Sequence, residues 1–132
     1  MRKLLFTWCS VDKPTQDHVT RELANLWAAC KHGKEVDVNS SYGKPPAGTR
    51  GMFYHTCGCG FDFDHIQDRG YAIGDTDGNE YLVDAMALHV VACHWNKLDA
   101  EEVKLLHALP TQTEWTDREG LEEILRMELP RE

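Results

Sequence analysis

No apolar stretch in this 132-residue chain approaches the roughly 18 residues that a membrane-crossing helix needs. Basic side chains are also scarce. There are 14 Lys and Arg against 22 Asp and Glu, a formal charge of −8 at neutral pH. A mostly acidic surface repels phosphate backbones, which argues against general nucleic-acid binding. Familiar catalytic patterns are missing as well. There is no H-E-x-x-H, no deaminase pairing of H-x-E with P-C-x-x-C, no G-x-S-x-G elbow and no G-x-x-x-x-G-K phosphate loop. The start, MRKLLFTWCS, joins two basic residues to a short apolar stretch from Leu4 to Cys9 but lacks a small-residue cleavage site. An exported precursor is therefore not expected, and the chain reads as cytoplasmic.

What is present fits one small globular domain over residues 1–132. Hydrophobic residues make up 42% and charged residues 27%, which excludes disorder and permits a real core at this length. Charge is unevenly spread. Residues 1–34 hold six basic and three acidic side chains, whereas residues 99–132 hold four and ten. The plain reading is a set of solvated helix faces. The sharper one is an acidic face built for a basic partner, including an inhibitor that mimics nucleic acid.

The periodicity predicts an α+β fold: a small antiparallel sheet with helices packed on one side. Lys3 to Trp8 reads as a strand. Val19, Leu23, Leu26, Trp27 and Cys30 lie on one helical face, with Thr15 suited to cap the start and Gly33 to end it. Residues 34–50 read as a loop with paired prolines. A strand over Met52 to Thr56 leads into a glycine-rich turn at Cys57–Gly60, and Phe61, Phe63 and Ile66 suggest resumed extension. Tyr71–Ile73 and Glu80–Val83 flank GDTDGN, a hairpin signal, because Asp-Gly and Gly-Asn tolerate positive φ. That turn is not a calcium loop: glycine is fourth rather than sixth, and Met86 stands where the bidentate glutamate belongs. Three helices follow. Asp84 caps one running to about Asn96, Asp99 with Glu102 forms a capping box, and Thr116 with Glu119 forms another.

Chemistry concentrates in HTCGCGF and LHVVACHW. Structural zinc takes four cysteine and histidine ligands in a tetrahedron, often from a tight turn and a nearby helix. Here Cys57 and Cys59 flank one glycine, and Gly60 follows, so the backbone can fold both thiolates toward one point. His89 then lies in the predicted helix. The fourth ligand is a choice between neighbours. Cys93 lies about 40° around a regular helix from His89 and so shares its side, whereas His94 lies about 140° away and converges only if the helix loosens. Leu88, Val91, Ala92 and Trp95 read as the apolar stripe of that helix, with His89 and Cys93 on one flank and His94 on the other. His55 and His65 are reserve ligands. A metal-free fold is the competing reading, and a strained Cys57–Cys59 disulfide is a third. Cys9 and Cys30 stand among apolar neighbours and read as core thiols. His18, His32 and His107 read as solvent-facing.

The pieces HTCGCG and YLVDAMALHVVACHW resemble a group of small uncharacterised bacterial proteins that pair a Cys-Gly turn with an LHxxxxH helix. The resemblance covers roughly residues 53–95. It implies His94, rather than Cys93, as the fourth ligand, in a Cys₂His₂-type set of Cys57, Cys59, His89 and His94. It implies no activity.

The functional expectation is a module with a structural Zn²⁺ that acts by binding a protein partner. Trp115 and the acidic C-terminal helices are the surfaces expected to be exposed. The acidic inhibitor is one alternative. A zinc-dependent hydrolase is another: Cys57, Cys59 and His89 would leave a position open for water, with Asp62, Asp64 or Asp84 as base.

Overall fold

The computed structural model describes residues 2–4, 20–37, 59, 69–74 and 77–129. In chain order these form β1 (Arg2–Leu4), α1 (Thr20–His32), β2 (Lys34–Asp37), β3 (Arg69–Gly74), β4 (Glu80–Asp84) and α2 (Ala85–Cys93). A 3₁₀ turn (Trp95–Lys97), α3 (Ala100–His107) and α4 (Arg118–Leu125) follow. The class is α+β, as expected. β2, β3 and β4 form an antiparallel sheet, with Lys34 opposite Ala72 and Ala72 opposite Leu82. β1 adds a short parallel strand beside β4, giving the order β1-β4-β3-β2. Parallel neighbours need a long connection, and most of the chain lies between these two strands. β3 and β4 pair as the expected hairpin, with Gly74 opposite Glu80, and Gly78 takes a positive φ of 85°.

α1 buries Leu23, Leu26, Trp27 and Cys30, the face its periodicity marked. Trp27 meets Tyr71 of β3 edge-on, with ring centroids 5.4 Å apart, which fixes the helix against the sheet. Burial raises the thiol pKa of Cys30 far above its ordinary value, so it behaves as a small apolar group. α1 ends at Gly33, where a Cβ would come within 2.3 Å of the Ala72 carbonyl oxygen. The glycine is needed because the backbone of β3 passes so close, and β2 begins at the next residue.

β4 runs into α2 with no intervening loop. Asp84 closes the strand in extended conformation and accepts a hydrogen bond from the Ala87 N–H at 2.9 Å, capping the helix. Every residue of α2 is buried. The predicted stripe with polar flanks is therefore not how this helix sits. It is enclosed on all sides, packing against α1, α4 and β4. The helix also stops at Cys93 instead of reaching Asn96, and the 3₁₀ turn takes over.

The Asp99–Glu102 capping box is complete, with both reciprocal hydrogen bonds present at 2.8 and 3.1 Å. The second predicted box differs. Asp117, not Thr116, caps α4, in the left-handed region at φ 45°. The residue three positions on is Gly120, where a Cβ would meet the Asp117 carboxylate at 2.3 Å. A glycine there lets Asp117 close over the helix start, which outcompetes Thr116 with Glu119. Predicted features over Thr15, Met52 to Thr56, Phe61, Phe63 and Ile66, and Cys9, lie outside the described residues.

Candidate metal centre

Two elements supply the donors. Cys59 sits in a turn and is half-buried against the core. His89 lies within α2, at 3% exposure, and His94 immediately follows the helix, fully buried. The capped β4–α2 junction places His89 one turn into the helix.

The end of α2 solves the problem of angle. On a continuous helix His94 would point about 140° away from His89. At His94 the backbone leaves helical values, with φ −135° and ψ 41°, while its N–H still donates to the Val90 carbonyl at 2.8 Å. The chain then tightens into the Trp95–Lys97 turn. This turns the imidazole back, and the two rings meet edge-on at 75° with centroids 5.0 Å apart.

The donor atoms converge. His89 Nε2 is 3.2 Å from His94 Nε2 and 3.3 Å from Cys59 Sγ, and all three atoms lie within 4.8 Å of one another. A tetrahedral ion with metal–nitrogen bonds of about 2.05 Å and metal–sulfur bonds of about 2.3 Å has nitrogen–nitrogen edges of about 3.3 Å and nitrogen–sulfur edges of about 3.6 Å. Both short distances fall close to those edges. This Cys/His/His group can bind a metal ion. Burial, and then the neighbouring His94, push the His89 pKa down to about 4. His89 is therefore neutral at pH 7, the form a metal ligand must take.

Of the expected ligands, Cys59, His89 and His94 are brought together, while Cys57 lies outside the described residues. Between the rival neighbours, His94 is the one that joins the cluster. The Cys93 thiol is directed elsewhere, 3.9 Å from the Met127 sulfur, because it stays on the regular helix while His94 does not. Nothing in the spacing pointed to Met127, since it lies 34 residues away. Cys30, Cys59 and Cys93 form no disulfide. The reserve ligands His55 and His65 lie outside the described residues, as do His18, Asp62 and Asp64. His32 and His107 are exposed, as expected. Asp84, a candidate base in the hydrolase reading, serves as the helix cap.

No family model, curated protein or solved structure matches the chain. Among the described residues, no helix is long and apolar enough to cross a membrane.

Proposed function

We propose that the chain is a zinc-stabilised α+β module whose single Zn²⁺ is structural and whose work is binding a protein partner. Cys59, His89 and His94 are three of the ligands, and Cys57, one residue beyond Gly58, is the fourth. The observation that carries the reading is the spacing of the three donor atoms, 3.2 and 3.3 Å, on side chains held by separate elements. The soft thiolate and two imidazoles suit zinc, and Cys₂His₂ is a common closed structural set. Burial of both histidines favours a closed site over one that admits substrate. A reducing cytoplasm keeps such thiols available to metal.

A metal used for holding α2 to the cysteine turn leaves the surface as the working part of the molecule. With a net charge of −8, that surface favours a basic protein over nucleic acid.

The test is metal content per chain on protein purified without added metal. One zinc per chain is expected in the wild type, and none in Cys59→Ser, with a large drop in thermal stability. A stable wild-type fold with no metal overturns the proposal. Zinc retained in full by Cys59→Ser removes Cys59 from the site.

A further inference from the structure

A second feature lies away from the metal cluster. Between α1 and the segment that leads into α4, an open cleft of about 530 Å³ is lined by Arg21, Gln112, Thr113, Trp115 and Arg118, with Ala24 and Glu114 at its sides. That volume is within the roughly 300–1,000 Å³ usual for small-molecule sites. Trp115, expected to be exposed, is half-buried and packs against the core while also lining the cleft.

The placement of Arg118 runs against a local helix rule. Cations stabilise the C-terminal ends of helices and are disfavoured at the N-terminal ends, where the peptide dipoles leave partial positive charge. Arg118 lies in the first turn of α4, capped by Asp117, and Arg21 lies on α1 (Thr20–His32). Both line the same cleft. Arg118 Nε also lies 3.9 Å from a Glu122 carboxylate oxygen, one turn along its own helix. A residue that breaks a local rule is a candidate for function.

The walls are also fixed in advance. Asn25 of α1, 5% exposed, accepts a hydrogen bond from the Gln112 N–H at 2.8 Å. Two residues on, the Trp27 indole N–H donates to the Asp117 carbonyl at 2.9 Å, and Lys31 pairs with the Asp117 carboxylate at 3.3 Å. Both ends of the 112–117 segment are thus tied to one helix, which sets the spacing between Arg21, Trp115 and Arg118. Preorganised donors of this kind lower the cost of ordering a bound ligand.

We propose that this cleft is a binding site for a small organic anion that joins a phosphate or carboxylate to a flat ring. The guanidinium groups of Arg21 and Arg118 take the anionic head, since their planar fork matches its oxygens. Trp115 takes the ring, and Gln112 and Thr113 supply polar contacts at the edge. Glu114 limits the net charge of the cleft and selects against highly charged ligands. This site is independent of the metal reading.

The test is titration of the metal-loaded full chain with phenyl phosphate, followed by calorimetry and by the indole N–H resonances of the four tryptophans. Binding with a Kd of about 1 mM or tighter, shifting the Trp115 resonance, is expected. Inorganic phosphate and phenol should each bind at least about tenfold more weakly. Arg21→Gln should weaken phenyl phosphate about tenfold or more at unchanged thermal midpoint, Arg118→Gln should weaken it by a similar factor, and Arg21→Lys should lose less than Arg21→Gln. Arg21 is exposed, so its variants carry the test even where Arg118→Gln perturbs the fold. No shift up to about 10 mM overturns the site. So does equal affinity for inorganic phosphate, or unchanged binding in Arg21→Gln.

Discussion

The Cys/His/His cluster at the end of α2 and the arginine cleft between α1 and the segment leading into α4 are built on opposite terms. At the cluster, polar atoms are placed inside the core: His89 and His94 are 3% and 0% exposed, and α2 around them is otherwise apolar. Burying such groups costs free energy unless they have partners, and a shared ion is the most complete partner available. In the cleft, Arg21 is exposed and keeps contact with water, while the Arg118 side chain, 24% exposed, sits beside Glu122. The same kind of change therefore has different consequences in the two places. Removing a ligand at the cluster destabilises the fold. Removing Arg21 at the cleft should leave the fold and change only what it binds.

The largest expected effect is at the cluster. Cys59→Ser should abolish stoichiometric zinc and lower the thermal midpoint by more than about 10 °C, because metal binding in such sites is coupled to folding. His94→Ala should do the same, whereas Cys93→Ala should keep one zinc per chain and cost only about 1 kcal/mol, for a lost sulfur contact and a small void. Metal analysis alongside thermal melts of the three variants makes this comparison. Zinc lost in Cys93→Ala and kept in His94→Ala would reverse the assignment of the neighbouring residues.

That pair shows where sequence reading worked and where it stopped. The candidate donors were visible because cysteine and histidine crowd two short segments, and Asp84, the GDTDGN hairpin and the Asp99–Glu102 box fixed their context through local rules. The choice of His94 over Cys93 was not decided by spacing. It depends on one backbone break at φ −135° and ψ 41°, a tertiary outcome of burying α2 on every side. The parallel pairing of β1 with β4 was equally hidden, because no local pattern records which distant strand a short segment joins. At α4 the local rule itself misled: Thr116 with Glu119 satisfied the capping pattern, but Gly120 made room for Asp117. Arg21 and Arg118 drew no notice in the sequence, and they gain meaning only once the fold brings both to one cleft.

The next effect concerns the protein in its metal-free form. His89 in the fold resists protonation down to about pH 4, whereas in the unfolded chain it takes a proton near the ordinary histidine value of 6.5. Between those values the unfolded state binds more protons, so acid favours unfolding. The contribution is fully present above pH 6.5 and is lost as the pH falls toward 4, amounting to on the order of 3 kcal/mol. Urea midpoints of the chelated protein at pH 7 and pH 4.5 should show this loss, and His89→Gln should flatten it. An equal slope in the variant would assign the acid sensitivity to other groups.

Smaller again is the tie between the two regions' supporting elements. Asn25→Ala removes the side-chain oxygen that holds the Gln112 N–H, a bond made from a buried position on α1. The expected loss is about 1–2 kcal/mol, the usual consequence of leaving one partner of a part-buried hydrogen bond unsatisfied. Zinc content should not change, since α2 and Cys59 are untouched. Binding of phenyl phosphate should weaken, because the 112–117 segment keeps only its Asp117 anchors and the wall carrying Trp115 loosens. A variant that loses zinc instead would show that the cluster and the cleft are one cooperative unit. Unchanged anion affinity at the lowered stability would mean that Trp27 and Lys31 alone set the position of the wall.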